Sequence, residues 1–390
     1  MTTISTTEYI LLAALTAFLV CIFSIPSIIK VADMKHLYDE PDERKSHSKK
    51  IPTLGGLAMF AGIMIAITLF SGTEFMERRF ITCALIIIFF IGMKDDIIMI
   101  APLKKMIGQI IAVCIVVILG KVRLTGFYGF LGIEQIHESL SITLSVFTIL
   151  VIMNGLNLID GIDGLAAATG VVISTFFGFW FFINGAEYQQ EWALLSFVLA
   201  AVLLAFLYYN LTPAKIFMGD TGAMLSGVVN AILVIHFIET AQGSQIFPFS
   251  SSPAMGFGIL IMPLLDTLRV FAIRIVHGRS PFSPDRNHLH HLLLDRGMNH
   301  NKVTLTIASS CIFFIFFTYN FLQFGTTLVI LAQIVIFFGG ILVLYFIKPK
   351  DTGNIKVVKG NFNEPNLNEK KSKTAFSVIG NNATIIDEQE

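Results

Sequence analysis

Charged residues are scarce in this chain. Asp, Glu, Lys and Arg make up 14% of the 390 residues, whereas hydrophobic residues make up 54% and the mean hydropathy is +0.74. A soluble domain carries about 25% charged residues, so this composition excludes an ordinary soluble protein and indicates a polytopic membrane protein. The formal net charge of +0 gives no reason to expect nucleic acid as a partner, and any electrostatic function must come from where the charges lie.

Cysteine is also rare. The four cysteines, Cys21, Cys83, Cys114 and Cys311, all lie inside apolar runs, where free cysteines behave as small buried hydrophobic residues. This placement excludes a disulfide framework and a cysteine-based zinc site. The first 30 residues have neither a basic n-region nor a small-residue cleavage site, so we expect a retained helix and not a cleaved signal peptide.

Apolar runs long enough to cross a bilayer, about 17–25 residues each, recur along the chain. They predict an all-α polytopic membrane protein with about eleven transmembrane helices. The predicted spans are residues 9–29, 54–71, 78–93, 104–120, 138–153, 165–184, 192–208, 222–240, 254–276, 303–321 and 326–347. We expect one membrane domain over residues 1–347 and a disordered cytoplasmic tail over 348–390, which is rich in Asn, Lys and Glu.

The basic residues predict the orientation of these spans. Most Lys and Arg residues fall in the connections after the odd-numbered spans and in the tail, whereas the opposite connections carry Arg78, Arg79, Lys121 and Arg123. The positive-inside rule therefore places the N-terminus outside and the C-terminus in the cytoplasm. Five polar segments rich in Asp, Asn, His and Gly follow the odd-numbered spans, so they should meet at the cytoplasmic face as an active site built from loops.

The most informative polar segment is Asn154–Leu165, which carries two amides, two carboxylates and three glycines between long apolar runs. Ionisable groups at membrane depth are costly and mostly line a site or a water-filled cavity. The glycines allow the backbone to kink and to approach a ligand closely. A solvated loop is the alternative, although a loop has no need for two Asp residues that are each followed by Gly.

Two further segments combine charges that suit phosphate or a metal ion. Residues 41–56 contain Arg44, Lys45 and His47 among Pro and Gly, and Arg and Lys both bind phosphate. For the neighbouring Lys49–Lys50 pair, contact with anionic lipid is an open alternative. In the second segment, Asp95 and Asp96 precede Lys104 and Lys105. Adjacent carboxylates tolerate each other if a cation lies between them, and Mg²⁺ takes one or two carboxylates plus substrate phosphates. A solvated loop is the alternative, and Asp-Asp taken alone is weak evidence for a metal site.

The last two segments follow the seventh and ninth spans. Residues 210–222 end in Gly-Asp-Thr-Gly directly before an apolar helix, which predicts a helix cap or an anion or metal site. Residues 279–291 contain Arg286, His288, His290 and His291. Zinc binding is an alternative here, but phosphate or sugar binding fits better because thiolate ligands are absent. Asp266 and Arg269, three residues apart, should pair on one helix face as a structural ion pair.

Taken in order, these segments resemble the polyprenyl-phosphate N-acetylhexosamine-1-phosphate transferase family. The resemblance runs from about Pro41 to Gly297 and rests on five spaced motifs, namely Arg44–His47, Asp95–Asp96, Asn154–Gly164, Phe217–Asp220 and His288–His291. The run from Ser280 to His291 looks most like the WecA-type branch. That resemblance implies transfer of GlcNAc-1-phosphate from UDP-GlcNAc to undecaprenyl phosphate, with release of UMP, in a bacterial inner membrane, as the start of a lipid-linked polysaccharide such as O-antigen.

The resemblance also implies residue roles. Asp95, Asp96, Asp163 and Asp220 would be catalytic, and Asp220, Asn157 and Asp160 would hold Mg²⁺, or Mn²⁺, against the UDP pyrophosphate. The residues implied in binding substrates are Arg44, Lys45, His47, Lys105, Asn154, Asn210, Phe217, Arg274, Arg286, His288, His290 and His291. Of these, Asn210 and Phe217 would hold the uracil ring. A homodimer is compatible with the resemblance.

Two departures and three alternatives belong with this prediction. Asp95–Asp96 is followed by Ile97, Ile98 and Met99, so the third acid common in the family is missing, and Ala223 stands where a serine is common. The same reaction with a fucosamine- or quinovosamine-type donor, or with a MurNAc-pentapeptide donor, is the nearest alternative. A nucleotide-sugar or lipid transporter is the more distant one, although the polar segments here lie at one face and not at the bilayer midplane.

Overall fold

The computed structural model describes residues 6–39, 51–72, 75–184, 187–280 and 286–347. Within these ranges the chain is almost entirely α-helical, which confirms the predicted all-α class. The helices are α1 (Thr6–Lys35), α2 (Gly55–Phe70), α3 (Arg78–Ile97), α4 (Pro102–Cys114), α5 (Glu138–Leu158), α6 (Leu165–Ile183), α7 (Glu187–Asn210), α8 (Gly219–Ala241), α9 (Ser252–Ile259), α10 (Ile261–Val276), α11 (Leu289–Asp295), α12 (His300–Phe321) and α13 (Thr326–Phe346). A π-helical turn, Ile115–Leu119, continues α4, and a 3₁₀ turn, Leu322–Phe324, follows α12.

Two short antiparallel sheets lie between helices. Strand β1 (Tyr38–Asp39) pairs with β2 (Ile51–Pro52), and β3 (Gly126–Phe130) pairs with β4 (Ile133–Gln135). The β3–β4 hairpin is attached to the start of α13, because Thr327 accepts a hydrogen bond of 2.8 Å from the Leu131 N–H and the Thr326 hydroxyl donates to the Tyr128 carbonyl at 3.1 Å. Neither sheet was predicted from the sequence.

Each predicted span coincides with helical structure, but the count of eleven is not confirmed. In the described part of the chain, eight helices are long and apolar enough to cross a membrane. The remaining predicted spans correspond to α2, which has 16 residues, to α3, whose ends carry Arg78, Arg79 and Lys94–Asp96, and to the α9–α10 pair. The described helices therefore make a multi-pass membrane protein.

The predicted span 254–276 is wrong as a single helix. It breaks between α9 and α10 at Leu260, whose φ of −100° and ψ of 6° depart from helical values. Pro263 explains the break, because proline has no N–H to donate and its ring clashes with the carbonyl four residues earlier, which here belongs to Ile259. The sequence prediction gave more weight to the continuous apolar run than to Pro263, so it missed the break.

Helix α8 lies at the centre of the bundle. Every residue from Thr221 to Ile238 is buried, and α8 contacts α2, α3, α5, α6, α7 and α9. Its N-terminal end is packed so closely that a Cβ on Gly56 of α2 would lie 2.3 Å from the Gly222 nitrogen, and one on Gly92 of α3 would lie 2.4 Å from the Thr221 Cα. These glycines let α2 and α3 bring their ends next to the start of α8.

Candidate active site

Four helix ends converge at the polar site. Asp95 and Asp96 lie in the last turn of α3, Lys105 in the first turn of α4, Asn157 in the last turn of α5 and Asp220 in the first turn of α8. We call these five residues the aspartate–lysine cluster. The sequence predicted that these residues would meet, but it placed most of them in loops. The helices extend further than predicted, since α5 runs to Leu158 and not to residue 153.

Lys105 joins two carboxylates of the cluster. Its Nζ lies 2.9 Å from Asp95 Oδ2 and 2.9 Å from Asp220 Oδ2. The other oxygen of Asp95 accepts a hydrogen bond of 2.8 Å from the Ile100 N–H. The side chains of Lys105 and Asp95 are 17% and 10% exposed. The single positive charge of Lys105 therefore offsets part of the negative charge of the two acids where solvent screening is reduced.

Asp96 holds the N-terminal end of α8. Its Oδ1 accepts a hydrogen bond of 2.7 Å from the Asp220 N–H, and its Oδ2 accepts bonds from the Thr221 N–H at 3.1 Å and from the Thr221 hydroxyl at 2.5 Å. Gly219 enters this turn with a φ of +69°, a conformation that favours glycine. The Gly-Asp-Thr-Gly segment therefore forms a capped helix start, and the capping anion is a carboxylate from another helix.

Asn157 and Asn154 occupy successive levels of α5. The Asn157 amide donates to Asp220 Oδ1 at 2.6 Å, which places it in the cluster as predicted. Asn154 lies one turn deeper, where its amide donates to Gln109 Oε1 at 3.3 Å and to the Leu150 carbonyl at 2.8 Å. Its predicted contact with substrate remains a prediction, and what the structure gives it is a bond to α4.

Asp160 follows α5 and faces the cluster. Desolvation, together with the negative charges of Asp220, Asp96 and Asp163, raises its pKa to about 7. Within the described residues no hydrogen bond or ion pair to its side chain is present, in contrast to the other acids of the site. Asp160 is thus the carboxylate that a bound cation would stabilise most.

Asp163 belongs to a second set of contacts in the same loop. It accepts a hydrogen bond of 3.3 Å from the Ala214 N–H, and its Oδ1 lies 3.4 Å from Nδ1 of His300. Burial alone would raise its pKa, but the bonds to His300, Ala214 and Thr212 and the His300 charge hold it below the usual value. These contacts tie the Asn154–Leu165 segment to the start of α12.

Asn210, the last residue of α7, ties the same segment to the connection between α7 and α8. It is buried, accepts a hydrogen bond of 2.8 Å from the Gly164 N–H and donates one of 2.9 Å to the Ile216 carbonyl. Phe217, the predicted stacking partner of uracil, is half-buried, and its N–H donates to the Pro52 carbonyl at 2.7 Å. The described contacts of Asn210 are those of a structural bridge, and its role in uracil binding stays a prediction.

The histidines are anchored by Asp266 of α10. Asp266 pairs with Arg269 at 2.8 Å, as the sequence predicted, and it also lies 3.0 Å from His288 Nδ1 and accepts the Leu289 N–H at 2.9 Å. His290 is buried against Gly161, where a Cβ would lie 2.5 Å from its Nε2. Burial, with the neighbouring His291 and His288, lowers the pKa of His290 to about 3, so this imidazole is neutral at physiological pH.

The remaining predicted residues have no contact with the cluster among the described interactions, or lie outside the described residues. Arg274 is buried in the last turn of α10, with its guanidinium carbon 5.7 Å from the centroid of the Phe271 ring. Arg286 is exposed and lies 3.8 Å from Asp295. The predicted phosphate-binding residues Arg44, Lys45 and His47 fall outside the described residues.

Four residues of the site were missed or misjudged in the sequence. Thr221 and His300 contact Asp96 and Asp163, Gln109 bonds to Asn154, and Asp266 anchors the histidines as well as pairing with Arg269. Gln109 carried a readable signal, because it is a lone amide in the apolar run 106–113, and polar residues inside a span mark functional sites. The contacts of Thr221 with Asp96, of His300 with Asp163, and of Asp266 with His288 are tertiary and had no signal in the local sequence.

The residues present fit a hard divalent cation. In the described ranges, no three His, Cys, Asp or Glu side chains are grouped closely enough to form a complete metal site. Mg²⁺ does not need one, since it commonly takes one or two carboxylates and completes its shell with water and substrate phosphates. Asp160, Asp220 and the amide oxygen of Asn157 provide such a partial set.

The fold and the site define a class of protein. The protein is a multi-pass helical bundle, and the helix ends predicted to face the cytoplasm bring together carboxylates, a lysine, amides and histidines. These are the groups needed for phosphoryl transfer beside a membrane. The sequence profile of glycosyl transferase family 4 matches residues 79–238, which include the whole aspartate–lysine cluster.

Named relatives agree with this class. Decaprenyl-phosphate N-acetylglucosaminephosphotransferase of Mycobacterium leprae (strain TN) is 33% identical over 336 residues, covering 78% of this chain and 84% of the relative. The same enzyme of Mycobacterium tuberculosis (strain ATCC 25618 / H37Rv) is 33% identical over 334 residues, covering 78% and 82%. Undecaprenyl-phosphate alpha-N-acetylglucosaminyl 1-phosphate transferase of Escherichia coli (strain K12) is 30% identical over 288 residues, covering 72% and 76%. The chain belongs to this family of polyprenyl-phosphate N-acetylglucosamine-1-phosphate transferases, which confirms the predicted family and enzyme class.

Proposed function

We propose that this protein transfers GlcNAc-1-phosphate from UDP-GlcNAc to a polyprenyl phosphate and releases UMP. The observation that carries the proposal is the aspartate–lysine cluster, in which Lys105 lies 2.9 Å from both Asp95 and Asp220, next to the unpartnered carboxylate of Asp160 in the described structure. A cationic group beside a candidate cation site suits two phosphorylated substrates that must approach each other. The identity of the named relatives supports GlcNAc as the sugar.

The chemistry is a single displacement at phosphorus. An oxygen of the lipid phosphate forms a bond to the β-phosphorus of UDP-GlcNAc, the bond from that phosphorus to the bridging oxygen breaks, and UMP leaves with that oxygen. A phosphomonoester has its second pKa near 6, so the acceptor is already largely a dianion at neutral pH and needs little help from a general base. Positioning and charge neutralisation are then the main contributions of the protein.

Different residues of the site would contact the acceptor phosphate, the metal ion and the donor. Lys105 offers its ammonium to the acceptor phosphate while Asp95 and Asp220 hold it in place, and Asp96 fixes the α8 turn that carries Asp220. Asp160, Asp220 and Asn157 would hold Mg²⁺, which supplies charge neutralisation on the pyrophosphate when bound. The neutral His290, packed against Gly161, and His288, oriented by Asp266, would contact the donor.

The location of the site completes the proposal. We infer that the aspartate–lysine cluster faces the cytoplasm, where UDP-sugars are found, because the polar segments follow the spans whose connections carry most Lys and Arg. The acceptor lipid then approaches from the inner membrane with its phosphate at the level of the helix ends. An acceptor of undecaprenyl length is proposed from the sequence resemblance.

A donor panel tests the function. Purified protein in detergent with undecaprenyl phosphate and Mg²⁺ should release UMP from UDP-GlcNAc at least about tenfold faster than from UDP-GalNAc or UDP-MurNAc-pentapeptide, a ratio equal to about 1.4 kcal/mol in the transition state. Decaprenyl phosphate serves as the second acceptor. Faster release from another UDP-sugar would reassign the donor, and no release from any donor would contradict the transferase reaction.

A further inference from the structure

A second polar level lies directly beneath the aspartate–lysine cluster. Three of the helices that form the cluster also carry a residue about one turn further into the bundle. These residues are Gln109 of α4, four after Lys105; Met224 of α8, four after Asp220; and Asn154 of α5, three before Asn157. Gln109 is 1% exposed and Met224 is fully buried. The same three helices, α4, α5 and α8, therefore supply both the cluster and this deeper, buried level.

Gln109 connects the other two members of this level. Its Nε2 lies 3.4 Å from Asn154 Oδ1 and 3.0 Å from the Met224 sulfur, while Asn154 Nδ2 donates to Gln109 Oε1 at 3.3 Å. The two amides thus bond reciprocally. Asn154 Nδ2 also donates to the Leu150 carbonyl at 2.8 Å, which fixes the Asn154 nitrogen and oxygen positions and therefore those of Gln109. A hydrocarbon side chain at position 109 could form none of these bonds.

We propose that Gln109 is a positioning residue that sets the register of α4 against α5 and α8, and so places the Lys105 ammonium between Asp95 and Asp220. The inference rests on the proposed transferase function, because its readout is transfer activity. Lys105 is one helical turn from Gln109, so a shift or rotation of α4 that follows loss of the amide bonds moves the ammonium with it. A misplacement of about 1 Å at reacting groups can cost about 100-fold in rate.

The test compares two buried glutamines of the same chain. Gln333 of α13 is also fully buried and bonds between helices, donating to the Ala254 carbonyl at 3.2 Å and to the Thr318 hydroxyl at 2.5 Å, but it contacts no residue of the site. Gln109→Leu should lower kcat at least about tenfold and change the KM for UDP-GlcNAc by less than about threefold, whereas Gln333→Leu should keep kcat within about twofold of wild type. Melting temperatures show whether the two variants lose similar stability.

Two further variants keep the inference testable if Gln109→Leu folds poorly. Gln109→Met retains the length of the side chain without the reciprocal amide bonds, and it should show the same loss of kcat. In a Lys105→Met background, Gln109→Met should cost less than about a further twofold, because the group it positions is already gone.

Equal kcat values for the Gln109 and Gln333 variants, a wild-type kcat for folded Gln109→Met, or full additivity with Lys105→Met would overturn the positioning role. An inactive wild-type protein would instead contradict the proposed function.

Discussion

Replacing Lys105 by methionine removes the ammonium that lies 2.9 Å from Asp95 and 2.9 Å from Asp220 while keeping the length of the side chain. Both carboxylates then lose the cation that pairs with them among the described residues. Removing one partner of a buried ion pair costs about 3–5 kcal/mol. Here the Asp220 side chain is 31% exposed, and solvent screening reduces the cost to about 2–3 kcal/mol.

If that energy is lost in the transition state, kcat/KM falls by about 30- to 150-fold, since each tenfold change in rate corresponds to about 1.4 kcal/mol. The assay is UMP release with undecaprenyl phosphate and UDP-GlcNAc at saturating Mg²⁺. Lys104→Met is the matched control, because Lys104 is the exposed neighbour in the same helical turn and changes the net charge equally.

The comparison separates a local from a general electrostatic effect. Lys104→Met should stay within about threefold of wild type, because an exposed charge is screened by solvent and salt. A kcat/KM for Lys105→Met that matches the Lys104→Met value would refute the argument that the ammonium acts through the two carboxylates it contacts.

Four other outcomes are expected. Asp220→Asn should abolish turnover and weaken Mg²⁺-dependent binding of UDP-GlcNAc in calorimetry. Asp160 must lose its proton to bind a cation, and its pKa is about 7. The half-saturating Mg²⁺ concentration should therefore rise about fivefold from pH 7 to pH 6, and Asp160→Asn should remove this dependence. In intact cells with the native cysteines replaced, an impermeant reagent should label a cysteine at Leu131 and not one at Arg279. UMP release should require the acceptor, and mass spectra should show no phospho-sugar adduct on Asp95.

Hydropathy was sufficient to predict the class of fold, because burial in a membrane demands long apolar helices that satisfy their own backbone hydrogen bonds. It was insufficient for helix ends. Polar residues such as Asn154 and Asn157 look like a loop in sequence, yet α5 continues through them since their side chains find partners on α4 and α8. The break at Leu260 had a local signal in Pro263, and the hydrophobicity of the surrounding run outweighed it in the prediction.

The glycines of the central segment show the same limit. In sequence they suggested a backbone that approaches a ligand. In the structure Gly161 makes room for His290, and Gly164 accepts a φ of +77° at the start of α6. Tertiary packing decides which group a glycine makes room for. The close contact in the structure is with a histidine side chain, and approach to a ligand stays a prediction.

The start of α8 does not bind substrate phosphate in the way that the sequence suggested. A helix N-terminus with free N–H groups attracts anions, and the sequence suggested a phosphate or metal there. The N–H groups of Asp220 and Thr221 are instead used by Asp96, whose negative charge also suits the positive end of the helix dipole. Substrate phosphate must therefore find its cations elsewhere in the site. Among the described residues of the cluster the cationic group is Lys105, which makes the position of α4 decisive for binding the acceptor and gives the buried Gln109–Asn154 pair its significance.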